Sequence, residues 1–158
     1  MTCEIRLSRV VGLPVIHAGK LLGHVEQAVA DGEGRHLTGL VIRRGLRGTR
    51  WASRTDVGVL GEVSVVLTHL PQRPPQRVQK PWGLVKDASG LTLGRVTDMW
   101  LQPETMEVTA LEVSLGPLED IRHGRLRVED WALCPGGDGL PQIQIARQKP
   151  QTGSQERG

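Results

Sequence analysis

The sequence predicts an all-β protein in which two small tandem β-barrels are joined by a proline-rich linker. Three observations lead to this prediction: an internal repeat, short segments with the period of a β-strand, and a proline-rich stretch between the two copies. A chain of 158 residues is long enough for one average domain or two small ones. We expect a first domain at residues 5–70, the linker at 71–81, a second domain at 82–146 and a disordered tail at 147–158.

The repeat is the strongest of these signals. Residues 12–45 superpose on residues 83–116 without a gap, at an offset of 71 positions, and 10 of the 34 pairs are identical. About two identities would be expected by chance from average composition. The identical pairs are Gly12/Gly83, Leu13/Leu84, Gly19/Gly90, Leu22/Leu93, Gly23/Gly94, Val25/Val96, Glu33/Glu104, Thr38/Thr109, Leu40/Leu111 and Gly45/Gly116. Further along, residues 54–57 match residues 128–131 at an offset of 74, which predicts three extra residues in a loop just after Gly116.

Local patterns predict the strands of each copy. Residues 24–29 alternate with a period of two, with Val25, Gln27 and Val29 on one face, and predict a strand over residues 22–31. A glycine-rich turn follows, and then a strand with Leu40 and Ile42 on one face. This second strand is expected at 37–43, and the other strands of the first copy at 10–17, 50–52 and 63–67. Those of the second copy are expected at 84–87, 93–101, 108–115, 125–127 and 142–145.

Four or five short strands in each copy, separated by glycines, are typical of a small, partly closed barrel. No segment shows ten residues of helical periodicity. Because so small a module buries only about 60% of its unfolded surface, we expect the barrels to pack on each other or to dimerise.

Composition outside the repeat predicts the linker, the tail and the compartment. Four prolines between residues 71 and 81 favour an extended chain, and residues 147–158 have no apolar side chain to bury. Cys3 and Cys134 stand far apart without a zinc or redox motif, so a reducing cytoplasm is the simplest compartment. The longest apolar run, residues 10–16, is interrupted by Gly12 and Pro14, so neither a signal peptide nor a membrane span is expected.

Two sets of segments carry a resemblance to a known family. They are Gly19-Lys20-Leu21-Leu22-Gly23-His24-Val25, Leu37-Thr38-Gly39-Leu40-Val41-Ile42 and Ala52-Ser53-Arg54-Thr55-Asp56-Val57, then Gly90-Leu91-Thr92-Leu93-Gly94-Arg95-Val96, Val108-Thr109-Ala110-Leu111-Glu112-Val113 and Arg127-Val128-Glu129-Asp130-Trp131. Their glycine and aliphatic spacing resembles that of the PRC-barrel family over nearly all of residues 5–146. The resemblance implies a compact β-barrel like those in the photosynthetic reaction-centre H subunit and the ribosome maturation factor. It implies protein binding or RNA–protein assembly, and no shared catalytic site.

The most suggestive candidate site is an arginine cluster. It comprises five arginines around one tryptophan, with no acidic residue between Glu33 and Asp56: Arg43, Arg44, Arg47, Arg50, Trp51 and Arg54. Arginine forks bind phosphate in bidentate geometry, and tryptophan can stack on a base or on an arginine. The cluster therefore predicts either a contact with RNA or an acidic protein, or a solvated hairpin whose tryptophan packs into the barrel.

Other patterns give little support for chemistry. His17 and His24 could face one another across a hairpin, but no third ligand stands at a metal-binding spacing. No serine lies in a nucleophile elbow, and no Walker-type loop occurs. We therefore expect no catalytic site, no cofactor, no metal and no small-molecule substrate, and an enzyme is not predicted.

Two pairs of polar residues occupy equivalent places in the copies. Gln27 and Asp98 lie inside apolar strand faces and are expected to make structural hydrogen bonds. Asp56 and Asp130 each precede an apolar residue, and we interpret them as carboxylates that lock turns.

The two halves differ in charge. Residues 1–74 carry ten Lys/Arg and six Asp/Glu, a net +4, whereas residues 75–146 carry seven and ten, a net −3. Five acidic residues could complement the arginine cluster within one molecule or between two: Asp87, Glu119, Asp120, Glu129 and Asp130. The sequence favours a non-catalytic cytoplasmic adaptor that binds a protein partner or a second copy of itself. The alternative is an RNA- or ribosome-associated assembly factor that uses the arginine cluster.

Overall fold

Two β-sheets form most of the described structure, which is a computed structural model covering residues 3–75, 83–87, 89–135 and 141–145. One of the sheets is curled into a half-barrel. The elements of the first half are β1 (Ile5–Arg6), α1 (Leu7–Val10), β2 (Pro14–His17), β3 (Lys20–Ala30), β4 (Leu37–Arg43), β5 (Thr49–Ser53), β6 (Val57–Leu60) and β7 (Val65–Leu67). Those of the second half are β8 (Leu84–Lys86), β9 (Thr92–Gln102), β10 (Glu107–Ser114), α2 (Pro117–His123), β11 (Leu126–Val128), β12 (Ala132–Pro135) and β13 (Pro141–Gln144).

The two sheets have the same strand order. It is β5-β4-β3-β2-β7-β6 in the first and β11-β10-β9-β8-β13-β12 in the second, where β1 also pairs with β9. In both, one parallel pair, β2 with β7 or β8 with β13, stands among antiparallel neighbours. The sequence repeat therefore corresponds to two copies of one sheet topology.

Strand irregularities recur at equivalent positions. The register of β3 on β4 shifts at Glu26, and that of β9 on β10 shifts at Thr97, 71 positions later. Because a bulge changes which side chains face the core, the next buried residues are Ala28 and Met99. The strict alternation predicted for residues 24–29 is therefore wrong beyond Val25.

One pair of equivalent glycines is required by close backbone contact. A Cβ on Gly23 would lie 2.2 Å from the carbonyl oxygen of Arg43, and a Cβ on Gly94 would lie 2.1 Å from that of Ser114. No side chain fits at such distances. The end of β4 can therefore approach β3, and the end of β10 can approach β9, only where the facing residue is a glycine. All four residues obey the offset of 71.

The strand registers correct the alignment before this point. Val15 pairs with Gly23, whereas Val85 pairs with Gly94, so the halves are related here by 70 positions rather than 71. The backbone bonds agree, because the Val25 and Val96 amides donate to the carbonyls of residues 13 and 83, respectively. The sequence identities at residues 12/83 and 13/84 are therefore not structural equivalences.

The loop predicted to be longer in the second half contains a helix. Seven residues separate the paired Ile42 and Arg50, whereas twelve separate the paired Val113 and Leu126. The insertion is thus five residues rather than three, and the second half is two residues shorter between β11 and β12. The inserted residues form much of α2, which no helical periodicity in the sequence had predicted.

The halves meet at the tips of equivalent hairpins. His36, after β3, forms an antiparallel bridge with Glu107, which is 71 positions later. The flanking bonds run from the Leu37 amide to the Met106 carbonyl (2.9 Å) and from the Val108 amide to the Arg35 carbonyl (2.7 Å). His36 thus contacts its own equivalent, and the two flanking bonds are equivalent to one another. This is the pattern of the isologous interface of a symmetric dimer. A local pseudo-two-fold relates the two hairpins.

The N-terminal segment packs on the second sheet. β1 pairs with β9, and Asp98 accepts hydrogen bonds from the Ser8 amide (3.1 Å) and hydroxyl (2.6 Å) at the start of α1. The structural role predicted for Asp98 is thus confirmed. Ile5 and Val10 are buried in an apolar cluster with residues of both sheets. The two halves therefore share a core.

Parts of the predicted domain organisation lie outside the described residues, namely linker residues 76–81 and the tail at 147–158. The start of the linker is ordered by pairing, because Gln72 and Trp51 exchange two backbone hydrogen bonds of 2.7 Å. In the described ranges, no helix has the length and apolar character needed to cross a membrane.

Candidate binding sites

The predicted arginine cluster is divided by strand β5. Arg43, Arg44 and Arg47 lie where β4 turns toward β5, and Arg54 follows the opposite end of β5. A five-residue strand spans about 16 Å, so the structure does not bring Arg54 to the other arginines. Arg50 lies on β5 opposite Ile42, at the rim of the sheet.

The charge of the cluster is only partly compensated. Arg43 forms an ion pair with Glu26, in which its Nε donates over 2.9 Å. Arg44, Arg47 and Arg50 have no carboxylate partner in the described part of the chain, and the Nε of Arg44 is buried without a hydrogen-bond partner. Three uncompensated positive charges therefore lie near this end of the first sheet.

The Trp51 ring packs against the neighbouring strand β4. A Cβ on Gly39 would meet the indole Cζ2 at 2.5 Å, so the ring covers that glycine on the neighbouring strand. Ala52, the next residue, is fully buried on the opposite face. The tryptophan is therefore neither displayed beside the arginines nor inserted into the core. It covers the outer face of the first sheet.

Other arginines make the ion pairs between the halves. Among the described residues, these pairs are Arg6 with Glu112 (2.9 Å) and Asp98 (3.6 Å), Arg127 with Glu4 (2.7 Å), and Arg35 with Asp130 (3.8 Å). None of these arginines belongs to the cluster. Of the five acidic residues predicted to complement the cluster, Asp130 forms a described ion pair with the first half, and its partner Arg35 lies outside the cluster. Among the ion pairs of the described residues, the one that the cluster makes is that of Arg43 with Glu26, within the first half.

The outer face of the second sheet carries a network of ion pairs and hydrogen bonds around Trp100 and Glu112. The guanidinium groups of Arg6 and Arg127 both lie 4.7 Å from the ring centroid of Trp100. Glu112 is buried and accepts hydrogen bonds from Arg125 (3.0 Å) and from the Thr97 hydroxyl (2.9 Å), in addition to its pair with Arg6.

The carboxylates of this network are held ionised. Burial alone would raise the pKa of Glu112, but hydrogen bonds from Arg125 and Thr97 and the charge of Arg6 lower it below the usual value. Hydrogen bonding from Arg127 likewise lowers the pKa of Glu4. These groups are committed to structural pairs, which is unlike the poised pKa of a general acid or base.

Helix α2 turns its apolar side toward solvent. The exposed fractions are 71% for Leu118 and 83% for Ile121, and no residue of the helix is buried. The two side chains lie three positions apart, on one face. Asp120, on another face, accepts a hydrogen bond from the Ser114 hydroxyl (2.6 Å) and pairs with Arg125 (3.6 Å). A polar side chain thus fastens the helix to the sheet.

A groove of about 440 Å³ lies where the first half meets the β9–β10 turn. One wall is β6 with Val57 and Leu60, and the other carries Glu104 and Met106. Arg54 stands at its border, so the structure assigns this arginine to a different surface from the rest of its cluster. Met106 adopts a φ of 57°, a left-handed conformation that costs a non-glycine residue about 1–2 kcal/mol.

The predicted histidine pair is not formed. His17 lies opposite Lys20 and His24 lies opposite Pro14, so the two histidines do not face one another across the hairpin. The Nδ1 of His17 instead lies 3.1 Å from the carbonyl oxygen of Leu67. Within the described ranges, no group of three or more His, Cys, Asp or Glu side chains is arranged to hold a metal ion.

The two aspartates interpreted as turn locks differ. Asp56 accepts a hydrogen bond from the Ser53 hydroxyl (3.2 Å) and pairs with His69 (3.3 Å), which agrees with a role in its turn. Asp130 is almost fully exposed, and its one polar contact among the described residues is with Arg35, so the interpretation is wrong for this residue.

The chain matches no protein-family model and no curated protein. The PRC-barrel resemblance therefore remains a prediction.

Proposed function

We propose that the protein is a non-catalytic adaptor that binds a protein partner through the apolar face of α2. In this proposal its two halves are modules of the PRC-barrel type, and it works in the cytoplasm. The described titratable networks support a binding role because their carboxylates are already paired with arginines.

One observation carries the proposal: α2 is attached by its polar side and displays its apolar side. An amphipathic surface helix ordinarily does the reverse, because burying the apolar stripe is what stabilises it on a domain. The helix is also an insertion that the first half lacks, so the sheet topology does not require it. Exposed leucine and isoleucine on one face fit a partner that offers an apolar groove.

Site-specific crosslinking tests the proposal. A photoreactive amino acid replaces Leu118 in the full chain, and the same amino acid at Val63 is the control, because Val63 is equally exposed on the turn between β6 and β7. We expect one defined protein to be crosslinked from position 118 and not from position 63. The additional change Ile121→Ser should remove that product without lowering the melting temperature. Equal products from both positions would contradict the proposal, and so would a loss of stability, which would mean that the chain itself covers Ile121.

An RNA-binding function is the second candidate, and the uncompensated charges of Arg44, Arg47 and Arg50 favour it. If these residues bind phosphates, affinity for a single-stranded RNA should fall with salt, and Arg47→Ala with Arg50→Ala should reduce the log–log slope by about 0.7 per lost contact. Arg73→Ala, on the linker segment, is the control. An affinity that does not respond to salt, or a slope that the double change leaves unaltered, would rule this candidate out.

A further inference from the structure

The pseudo-two-fold creates two equivalent sites beside the bridging hairpins, and one of them is filled. In the filled site Trp131, 4% exposed, lies under Arg35 of the other half. The Arg35 guanidinium is 4.0 Å from the centroid of the ring and donates to the Trp131 carbonyl. An aromatic side chain thus closes the space between the start of β12 and the opposite hairpin.

The other site is built from the equivalent backbone positions but has no aromatic ring. Val57 is the first residue of β6 and Trp131 lies immediately before β12, and the two follow equivalent aspartates. Met106 replaces Arg35, since the two residues are 71 positions apart and make reciprocal bonds across the bridge. Valine is much smaller than tryptophan, and the groove of about 440 Å³ is lined by Val57 and Met106, the equivalents of Trp131 and Arg35.

We propose that this groove binds an aromatic side chain, tryptophan above all, from an extended segment of a protein partner. The bound ring would occupy the space that corresponds to Trp131 in the other half. Val57 and Leu60 provide an apolar wall, and the thioether of Met106 is a favourable neighbour for a ring. The groove is continuous with the interface between the halves, which already buries an aromatic ring in its filled counterpart.

The rim and the open strand edge fit a peptide that carries such a ring. Arg54 and Glu104 offer one positive and one negative group to the polar atoms of a backbone or an indole N–H. β6 is the terminal strand of its sheet, so in the described structure one of its edges has no strand neighbour. An extended segment can add to such an edge through main-chain hydrogen bonds, with its side chains selecting the pocket. The site is separate from α2 and does not depend on the proposed function of that helix.

Titration of the full chain with N-acetyl-L-tryptophanamide, followed by ¹H–¹⁵N NMR, tests the proposal. We expect saturable shifts at Gly58, Glu104 and Met106 with a Kd of about 1 mM, as is usual for an isolated fragment. Intermolecular NOEs should join the indole protons to the methyl groups of Val57 and Leu60. This measurement needs no substitution, so it holds even if a variant does not fold. Shifts that do not saturate, or that centre on another surface, would overturn the proposal.

A substitution that fills the groove with a side chain of the protein itself provides the second test. Val57→Trp copies the other half, and we expect it to weaken probe binding by about tenfold or more. Val63→Trp is the matched control, because it adds the same side chain to an exposed turn away from the groove. Ile121→Ser should bind the probe like the unaltered chain, so failure of this proposal is distinguishable from failure of the one based on α2. Unchanged binding by a folded Val57→Trp variant would refute the site.

Discussion

The outer faces of the two sheets have opposite chemistry on the same backbone. In the first sheet the paired residues Val41 and Trp51 cover the outer face with apolar surface. The equivalent pair in the second sheet is Glu112 and Arg127, which belong to the ionic network around Trp100. The buried inner faces of both sheets remain apolar. Strand register and topology therefore depend on the inner face and on backbone contacts, and the outer face is free to diverge.

What covers each outer face explains the difference. In the second sheet β1 pairs beside β9, and its Arg6 side chain reaches Glu112 and lies over Trp100, so charged groups can be buried there with their partners. In the first sheet the ring of Trp51 lies over Gly39, and Gln72 pairs with the backbone of Trp51 at the sheet edge. The N-terminal segment thus supplies the positive charge that allows Glu112 to be buried on the second sheet.

The largest expected effect concerns what the halves share. Gly23→Ala and Gly94→Ala should each lower the free energy of unfolding by about 3 kcal/mol, because either Cβ would overlap a backbone carbonyl oxygen. Urea denaturation measures both. Gly32→Ala is the control, since a Cβ there meets nothing within 4 Å and we expect a change within about 0.5 kcal/mol. Tolerance of alanine at only one of the two glycines would show that the halves are less alike than their registers indicate.

The next effect separates the two outer faces. Glu112→Gln should lower the free energy of unfolding by about 1–2 kcal/mol, because it leaves Arg6 and Thr97 facing a neutral amide. The loss stays below that of a fully buried ion pair because Arg6 is partly exposed. Glu62→Gln, in an exposed turn, is the control. An equally stable Glu112→Gln variant would mean that the network does not stabilise the second sheet.

Acid should weaken the second face selectively. The folded-state pKa values of Glu4 and Glu112 are lowered, so their stabilising contribution is fully present above about pH 4.5 and is lost as the pH falls through the lowered values. The urea concentration at the midpoint of unfolding should therefore decrease as the pH falls through these lowered pKa values. Hydrogen exchange should show β1 and β9 opening before β3 and β4. A pH dependence that Glu112→Gln leaves unaltered would argue against this assignment.

Much of the sheet structure could be predicted from the sequence, because inner-face aliphatic residues and glycines set it. The predicted strand over 37–43 is found with the same bounds, and those over 22–31 and 93–101 differ by one or two residues. β6 and β12 were both missed. They are short edge strands with little alternation, and their pairing depends on distant partners.

The candidate sites were less predictable because they arise between elements. The arginine cluster is continuous in sequence, yet β5 separates Arg54 from Arg47. The groove joins β6 to a turn that is more than 40 positions away, and no local pattern marks such a juxtaposition. One signal for the filled site was present, since Trp131 matches Val57 in the repeat alignment. A large difference in volume at equivalent positions could have indicated one open site and one filled site.

The smallest expected effect tests two aspartates that the sequence alone makes equivalent. Asp56→Ala should lower the free energy of unfolding by about 1 kcal/mol, because its carboxylate, 19% exposed, accepts the Ser53 hydroxyl bond and faces His69. Asp130→Ala should leave stability unchanged within error, since that carboxylate is 98% exposed and lies 3.8 Å from Arg35, which is already held by the ring and carbonyl of Trp131. Thermal and urea unfolding of the two variants, side by side, measure the difference. Equal losses would mean that Asp130 also orders its turn and that the halves are more alike here than the structure indicates.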